Sequence, residues 1–336
     1  MATLLVIITH SIQIITSAFS GTKGYLLTVL STVTLSCNYL FVMLSGSLHL
    51  RFKEEPLGKF YVRKFSSVLL PLIVYALFYF WVNRANGSPE PTLTEAFTKI
   101  IAGEFSPEAP HFHLFYTIAS LYVAYPFLRY MFKDMPYRTL TNLCIVIIVF
   151  LCFQMFTPKP ALSTFLIGWV GLAILGYWVT RRETAKYYNF LIILGIVQIG
   201  IIFYLCVNKQ DFLNIIYNNS PIMSLLAVGE IATIFKFKNV FSKHSALLTF
   251  ISRRSYSILL IHWYVQKYIV MNGLHISAAY WHGLGMIISP LLTLLISIVM
   301  AFAFDNLFLL PIQSGFDRAV KAIQIAYANI KKKRID

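Results

Sequence analysis

Charge is scarce in this chain. Only 12% of its 336 residues are charged, while 58% are hydrophobic and the mean hydropathy is +0.70. No soluble domain of that length needs so much apolar surface, which excludes an ordinary soluble globular protein. A long polar insertion is also missing, and this excludes a membrane anchor joined to a separate soluble catalytic domain. What remains is one integral domain, residues 1–313, followed by a basic amphipathic tail, 314–336. Cysteine is sparse as well: Cys37, Cys144, Cys152 and Cys206 sit in apolar runs, without the spacing of a zinc site or a disulfide framework. No small-residue cleavage site follows the first apolar run and further runs come after it, so it is expected to stay as a helix. An internal repeat with paired broken helices is not evident, which weighs against a secondary transporter.

What is present is a succession of apolar runs of bilayer length. They predict an all-α integral membrane protein, a bundle of about ten transmembrane helices over 2–19, 27–48, 65–82, 113–132, 139–157, 162–179, 188–207, 220–236, 248–271 and 283–309. Lys and Arg gather in alternate connections, around Arg51 to Lys64, Arg129 to Arg138, Arg181 to Lys186, Lys236 to Arg254 and Arg318 to Arg334. Cytoplasmic connections carry that excess, so both termini are expected in the cytoplasm. The formal charge of +15 is spread over these connections instead of lying along one surface, which points to a membrane and not to nucleic acid. The longest external connection, 83–112, carries Gly87, Pro89, Pro91, Pro107 and Pro110 and is expected to be irregular, ordered only by packing over the helices. Past the last span, Phe316, Val320, Ile323, Tyr327 and Ile330 recur at helical spacing beside the basic run Lys331 to Arg334. This reads as a helix lying on anionic lipid headgroups.

Ionisable residues inside such spans are costly and therefore candidates for function. His10, within the first run and followed by Ser11 and Gln13, is the foremost; imidazole can take and return a proton near neutral pH, as a general base on a hydroxyl must. The bland alternative is a helix-to-helix hydrogen bond, for instance to Asn38. Glu230 lies within a turn or two of Lys236 and Lys238, so pairing or snorkelling accounts for it. His262, after Ser255-Tyr256-Ser257, reads equally as packing or as function, and Lys267 as a snorkelling cation. His111 and His113 form a His-x-His too poor in further ligands for a metal, and either contact a substrate or cap the following helix. Arg63 and Lys64 are placed where two cations could hold phosphates, or merely flank the membrane.

Four segments in order resemble the membrane-bound acyltransferase family three, which O-acylates bacterial surface glycans. They are Leu4 to Ser11 ending on His10, Phe41-Val42-Met43-Leu44-Ser45-Gly46-Ser47-Leu48, His113-Leu114-Phe115-Tyr116 running to Pro126, and Ile251 to His262. Within the family the chain is most similar to the stand-alone members of the enterobacterial common antigen O-acetyltransferase type. The resemblance implies a multi-pass protein of the bacterial cytoplasmic (inner) membrane, with no bound cofactor and no metal. Acyl-CoA, usually acetyl-CoA, would be the co-substrate on the cytoplasmic side, held by Arg63 and Lys64, and a glycan or lipid-linked oligosaccharide the acceptor. His10 would be the base, with His113 at the acceptor, and Asn38, Ser45, Ser255, His262 and Glu230 would line the pocket. Two departures accompany the resemblance. The family's Arg eleven positions before the first-helix His would precede Met1, and Ser67 stands where a basic residue is usual. An N-terminally truncated chain, or a catalytically impaired relative, is one expectation from this; an exporter or flippase of a surface polysaccharide is the other alternative.

Overall fold

The computed structural model describes residues 2–16, 21–85, 92–103, 109–156, 168–208, 216, 220–242, 245–276 and 284–332, and among these residues every element is a helix. In chain order they are α1 (Ala2–Thr16), α2 (Gly21–Thr34), α3 (Cys37–His49), α4 (Leu57–Lys64), α5 (Leu70–Ala85), α6 (Leu93–Ala102), α7 (His113–Phe132), α8 (Tyr137–Phe156), α9 (Trp169–Val179) and α10 (Tyr188–Asn208). Then follow α11 (Pro221–Lys236), α12 (Lys238–Ser242), α13 (Ser245–Tyr264), α14 (Gly285–Phe304) and α15 (Leu310–Lys332). Among the described residues, five stretches are long and apolar enough to cross a membrane: Gly24–His49, Leu57–Ala85, Tyr137–Met155, Arg182–Asn208 and Gly285–Tyr327. Ala2–Ile12 and Trp169–Val179 are shorter apolar helices.

The second apolar run is not one straight helix. It breaks at Leu35–Ser36, after a stretch rich in hydroxyl residues whose side chains bond back to their own helix: Thr32 Oγ1 donates to the Thr28 carbonyl at 2.7 Å and Thr34 Oγ1 to the Ser31 carbonyl at 3.0 Å. Such back-bonding competes with the helical ladder and bends it. Three wide π-turns interrupt other helices, at Phe65–Leu69, Val265–Gly273 and Asp305–Leu309. The π-turn is rare and concentrates at functional positions. The second of them begins beside Tyr264, whose backbone N–H donates to Tyr79 Oη at 3.1 Å.

The connection over 83–112 departs from the irregular form expected of it. It holds α6, opened by a reciprocal capping box in which Thr92 Oγ1 accepts from the Glu95 N–H and the Glu95 carboxylate from the Thr92 N–H. The helix closes on Gly103 at φ 76°, the left-handed conformation that glycine tolerates. Gly87, Pro89, Pro91 and Pro107 lie outside the described residues. At the other end of the chain α15 continues through the third π-turn from α14, with Phe316 against Phe65 (ring centroids 5.0 Å) and Gln313 Nε2 donating to the Ser66 carbonyl at 2.7 Å. Ile323 and Tyr327 remain exposed, and the side chains of Lys331 to Arg334 lie outside the described residues.

Helices in lipid gain little from burying apolar surface against one another, so close van der Waals packing must hold them, and small residues permit it. A Cβ on Gly46 of α3 would fall 2.0 Å from the Ala173 carbonyl oxygen of α9, and one on Gly176 of α9 would fall 2.0 Å from the Met43 carbonyl oxygen of α3. Gly195 of α10 and Gly229 of α11 face each other in the same way. Two buried clusters result. One is built on α3, α7 to α11 and includes Met43, Tyr125, Leu172 and Ala227; the other is built on α1, α5, α13 and α14 and includes Ile7, Tyr75, Tyr79 and Leu260. α1 serves both, with Ala2 in the first and Val6 and Ile7 in the second.

Candidate active site

Between the two clusters lies a cavity of about 290 Å³. Its walls are mostly apolar, with Val6, Leu35, Leu114, Phe115, Trp169 and Leu259 among them, and its polar groups are few: His10, His111, His113 and His262, with Thr9, Asn38, Tyr39 and Cys37. A largely apolar pocket with a handful of converging polar groups is the usual form of a small-molecule site. The helix break at Leu35–Ser36 contributes three of these, since Cys37, Asn38 and Tyr39 open α3 directly after it.

α1 is keyed to its neighbours on both sides of His10. Thr9 Oγ1 lies 2.8 Å from Thr34 Oγ1, and Gln266 Nε2 donates to Ser11 Oγ at 3.2 Å. The His10 ring is thereby set against two others, stacked on His262 at 5.4 Å between centroids and edge-on to Trp263 at 5.0 Å. His111 comes from a 3-10 turn over Pro110–Phe112, and its ring meets His262 edge-on at 4.8 Å. Three imidazoles from three separate parts of the chain therefore lie in a row at one cavity. No group of three His, Cys, Asp or Glu among the described residues is arranged to hold a metal ion.

The orientations of two of these rings follow from their neighbours. His262 Nδ1 is 2.7 Å from the Leu259 carbonyl, which can only accept, so Nδ1 carries the proton and Nε2 of the neutral ring is a bare acceptor. His111 Nε2 makes a longer contact of 3.4 Å with the Leu260 carbonyl, leaving Nδ1 as its acceptor. Both acceptor nitrogens are buried without a hydrogen bond, as is Tyr39 Oη. Unsatisfied polar atoms are costly inside a fold, and at a cavity they are open to a polar ligand or a water.

A second polar cluster lies at the His49 end of α3. Lys64 Nζ donates to His49 Nε2 at 2.6 Å and lies 4.2 Å from the centre of the Tyr122 ring, while His49 Nδ1 donates to the Ser45 carbonyl at 2.8 Å. Tyr125 Oη donates to Ser45 Oγ at 3.1 Å, and Arg129 Nε to the His49 carbonyl at 2.7 Å. Arg63 grips Glu55 with two hydrogen bonds of 2.8 and 3.3 Å. Burial alone would raise the Glu55 carboxyl, but the Arg63 hydrogen bonds and charge, with Lys53 and Arg129 behind them, hold it below the usual carboxylate range. Lys64 and Arg63 each line a surface groove whose other side is α15, through Phe316 in one and through Asp317, Val320 and Lys321 in the other.

Of the residues singled out in the sequence, His10, Asn38, His113 and His262 thus meet at one cavity, and Arg63, Lys64 and Ser45 at the other cluster. Neither Arg63 nor Lys64 lines the His10 cavity. Glu230 faces inward and not toward the nearby lysines: Ser36 Oγ donates to its Oε1 at 3.0 Å, at the helix break, while Lys236 bonds Asn189. Ser255 is spent on its own helix, donating to the Ser252 carbonyl at 2.8 Å. His49 was missed, and His111 was named without its burial. His111, set beside His113 as a weak His-x-His, is the buried one of the two, whereas His113 is exposed; its signal was the Pro110 before it, which starts a turn that folds the ring inward. His49 escaped attention although it falls four residues after Ser45, one helical turn on the same face.

A family model described as an acyltransferase domain, that of acyltransferase family 3, matches residues 1–305. No curated protein and no solved structure matches the chain. The matched region contains the whole of the cavity and of the basic cluster, together with the apolar helices that fit them to a bilayer. The chain belongs to acyltransferase family 3, and it is a membrane acyltransferase.

Proposed function

We propose that the chain is an O-acyltransferase of the bacterial inner membrane, moving an acetyl group from acetyl-CoA on the cytoplasmic side to a hydroxyl of a surface or lipid-linked glycan. In this reading about ten helices cross the bilayer and both termini are cytoplasmic. The observation that carries it is the position of His10, a titratable ring at a largely apolar cavity, beside His262 and His111. Buried ionisable groups in a bilayer are retained for function, and a sugar hydroxyl needs base assistance to attack a thioester.

The transfer needs one base and no redox partner. The acceptor hydroxyl oxygen attacks the thioester carbonyl carbon, the new C–O bond forms as C–S breaks, and the hydroxyl proton passes to His10 and from there to the departing CoA sulfur. Asn38, on the same cavity, is suitably sited to donate to the carbonyl oxygen as it gains charge. The charged head of CoA belongs at the other cluster. There Lys64, held by His49 and Tyr122, is the cation suited to a phosphate, while Arg63 already serves Glu55. α3 runs from one site to the other, about 18 Å for the twelve helical steps from Cys37 to His49. The long uncharged arm of acyl-CoA fits that separation, keeping its phosphates near water and its thioester in the bundle.

Sealed membrane vesicles of known orientation, containing the full chain and a surface-glycan precursor, test this with labelled acetyl-CoA. Label should reach the glycan only when the donor is supplied on the face carrying Arg63 and Lys64. Transfer from the opposite face alone, or glycan movement across the membrane without label, would overturn the reading.

A further inference from the structure

The cavity holds more hydrogen-bonding capacity than the transfer itself uses. His111 is 6% exposed and His262 0%, and each ring has one nitrogen engaged with a backbone carbonyl and the other without a hydrogen bond. In neutral rings those two free nitrogens, His111 Nδ1 and His262 Nε2, are acceptors on side chains that line the same cavity and touch one another. Acceptors call for donors. The thioester itself brings only acceptors and a sulfur, and the amide N–H two methylenes from that sulfur belongs to the arm that the proposed reading directs toward Lys64. The donors must come chiefly from the other substrate, and a molecule with a single hydroxyl spends its only one on His10.

We infer that His111 and His262 form a grip for a second hydroxyl of the acceptor, so that the site selects a polyol with neighbouring hydroxyls over a simple alcohol. The hydroxyl to be acylated lies by His10, and its neighbour donates to the bare Nδ1 of His111, with the His262 ring in contact beside it. This inference rests on the acyltransferase reading, since it assigns the acceptor half of that same cavity. It gives His111 an acceptor-binding role. Sites built to hydrogen-bond a hydroxyl reject analogues that lack it far more strongly than apolar pockets reject a missing methylene, because the unused polar atoms stay buried and unpaired.

Octyl β-D-glucopyranoside and 1-octanol, which share an octyl chain and differ by a sugar ring with four hydroxyls, make the test. The full-length protein in nanodiscs is given labelled acetyl-CoA and each compound in turn. The wild type should favour the glucoside by about tenfold or more in kcat/KM, as loss of one buried hydrogen bond implies. His111→Phe should reduce that preference to within about threefold, mainly through a higher KM for the glucoside, and His111→Asn, which keeps an acceptor oxygen near the Nδ1 position, should restore much of it. Thermal unfolding of each variant separates a lost grip from a lost fold. An unchanged preference in a folded His111→Phe, equal use of both compounds by the wild type, or consumption of acetyl-CoA with label on neither would overturn the inference alone. No consumption of acetyl-CoA under any condition would instead overturn the acyltransferase reading beneath it.

Discussion

Arg63 shows at the scale of a single residue why a basic motif is an incomplete guide to a phosphate site. Its guanidinium is half exposed and already forked onto Glu55, with Arg129 at 3.9 Å from the same carboxylate, so the two cations of the Arg63–Lys64 pair face different tasks. Lys64 is turned instead toward His49 and Tyr122. The Glu55 carboxyl lies low in the folded state, so its contribution is present above the ordinary carboxylate range and is lost as pH falls through the folded value. Glu55→Gln should therefore lower the melting temperature at pH 7 by the equivalent of about 0.5–1 kcal/mol, the scale of a partly exposed ion pair. The difference from wild type should hold through the ordinary carboxylate range and shrink only as pH falls through the lower folded value, where the wild-type carboxylate is itself protonated. A difference that persists unchanged over the whole acid range in which the protein stays folded would show that Glu55 acts through packing and not through charge. His111 carries the complementary lesson. Its neighbour His113 matched a family pattern and drew the attention, yet burial and an unpaired nitrogen belong to His111, and no spacing rule distinguishes two histidines on a turn whose fold is set by Pro110.

Among the elements, α3 does the most to organise the molecule, because its two ends belong to the two polar sites and its middle packs face to face with α9. The Phe41 to Leu48 signature becomes intelligible there: Ser45 ties the basic cluster together through Tyr125 and His49, and Gly46 is required by the Ala173 backbone. Neither backbone can retreat from a Cβ at 2.0 Å, so Gly46→Ala and Gly176→Ala should each destabilise by about 1–3 kcal/mol or more, read by thermal unfolding in nanodiscs. Gly200→Ala on α10, where nothing lies within 4 Å, is the control and should be neutral or slightly stabilising for a helical position. Equal effects at Gly46 and Gly200 would mean that α3 and α9 do not cross so closely. Periodicity and hydropathy made the helices legible, and the family pattern marked the middle and the His49 end of α3. The break at Leu35–Ser36 was not read, because it arises from hydroxyls bonding back to their own carbonyls, a competition that hydropathy does not register. The capped α6 was overlooked for a different reason: proline and glycine around it drew the reading toward an irregular connection, although Thr92-x-x-Glu95 spells out a capping box.

For the whole molecule, a histidine-lined cavity lies at the seam of two helical clusters, and the Lys64 cluster stands apart from it. The convergence of α1, the turn before α7, and α13 on one cavity is a property of tertiary packing over some 250 residues of separation, as the Ser11–Gln266 hydrogen bond shows. That is why the sequence could nominate His10 and His262 individually without joining them. The inward turn of Glu230 toward Ser36 has the same origin: nearby lysines in the chain were a poorer guide than a helix break brought against it from 194 residues away. The central claim is that His10 is the base for acyl transfer, and the rate of label transfer from acetyl-CoA to glycan by the wild type and by His10→Ala tests it most directly, measured beside acetyl-CoA binding to each. The account predicts a loss of about 10²- to 10⁴-fold in transfer, the usual worth of a general base, with donor affinity within about threefold because the head of CoA is held elsewhere. Transfer at the wild-type rate by a folded His10→Ala protein would contradict it.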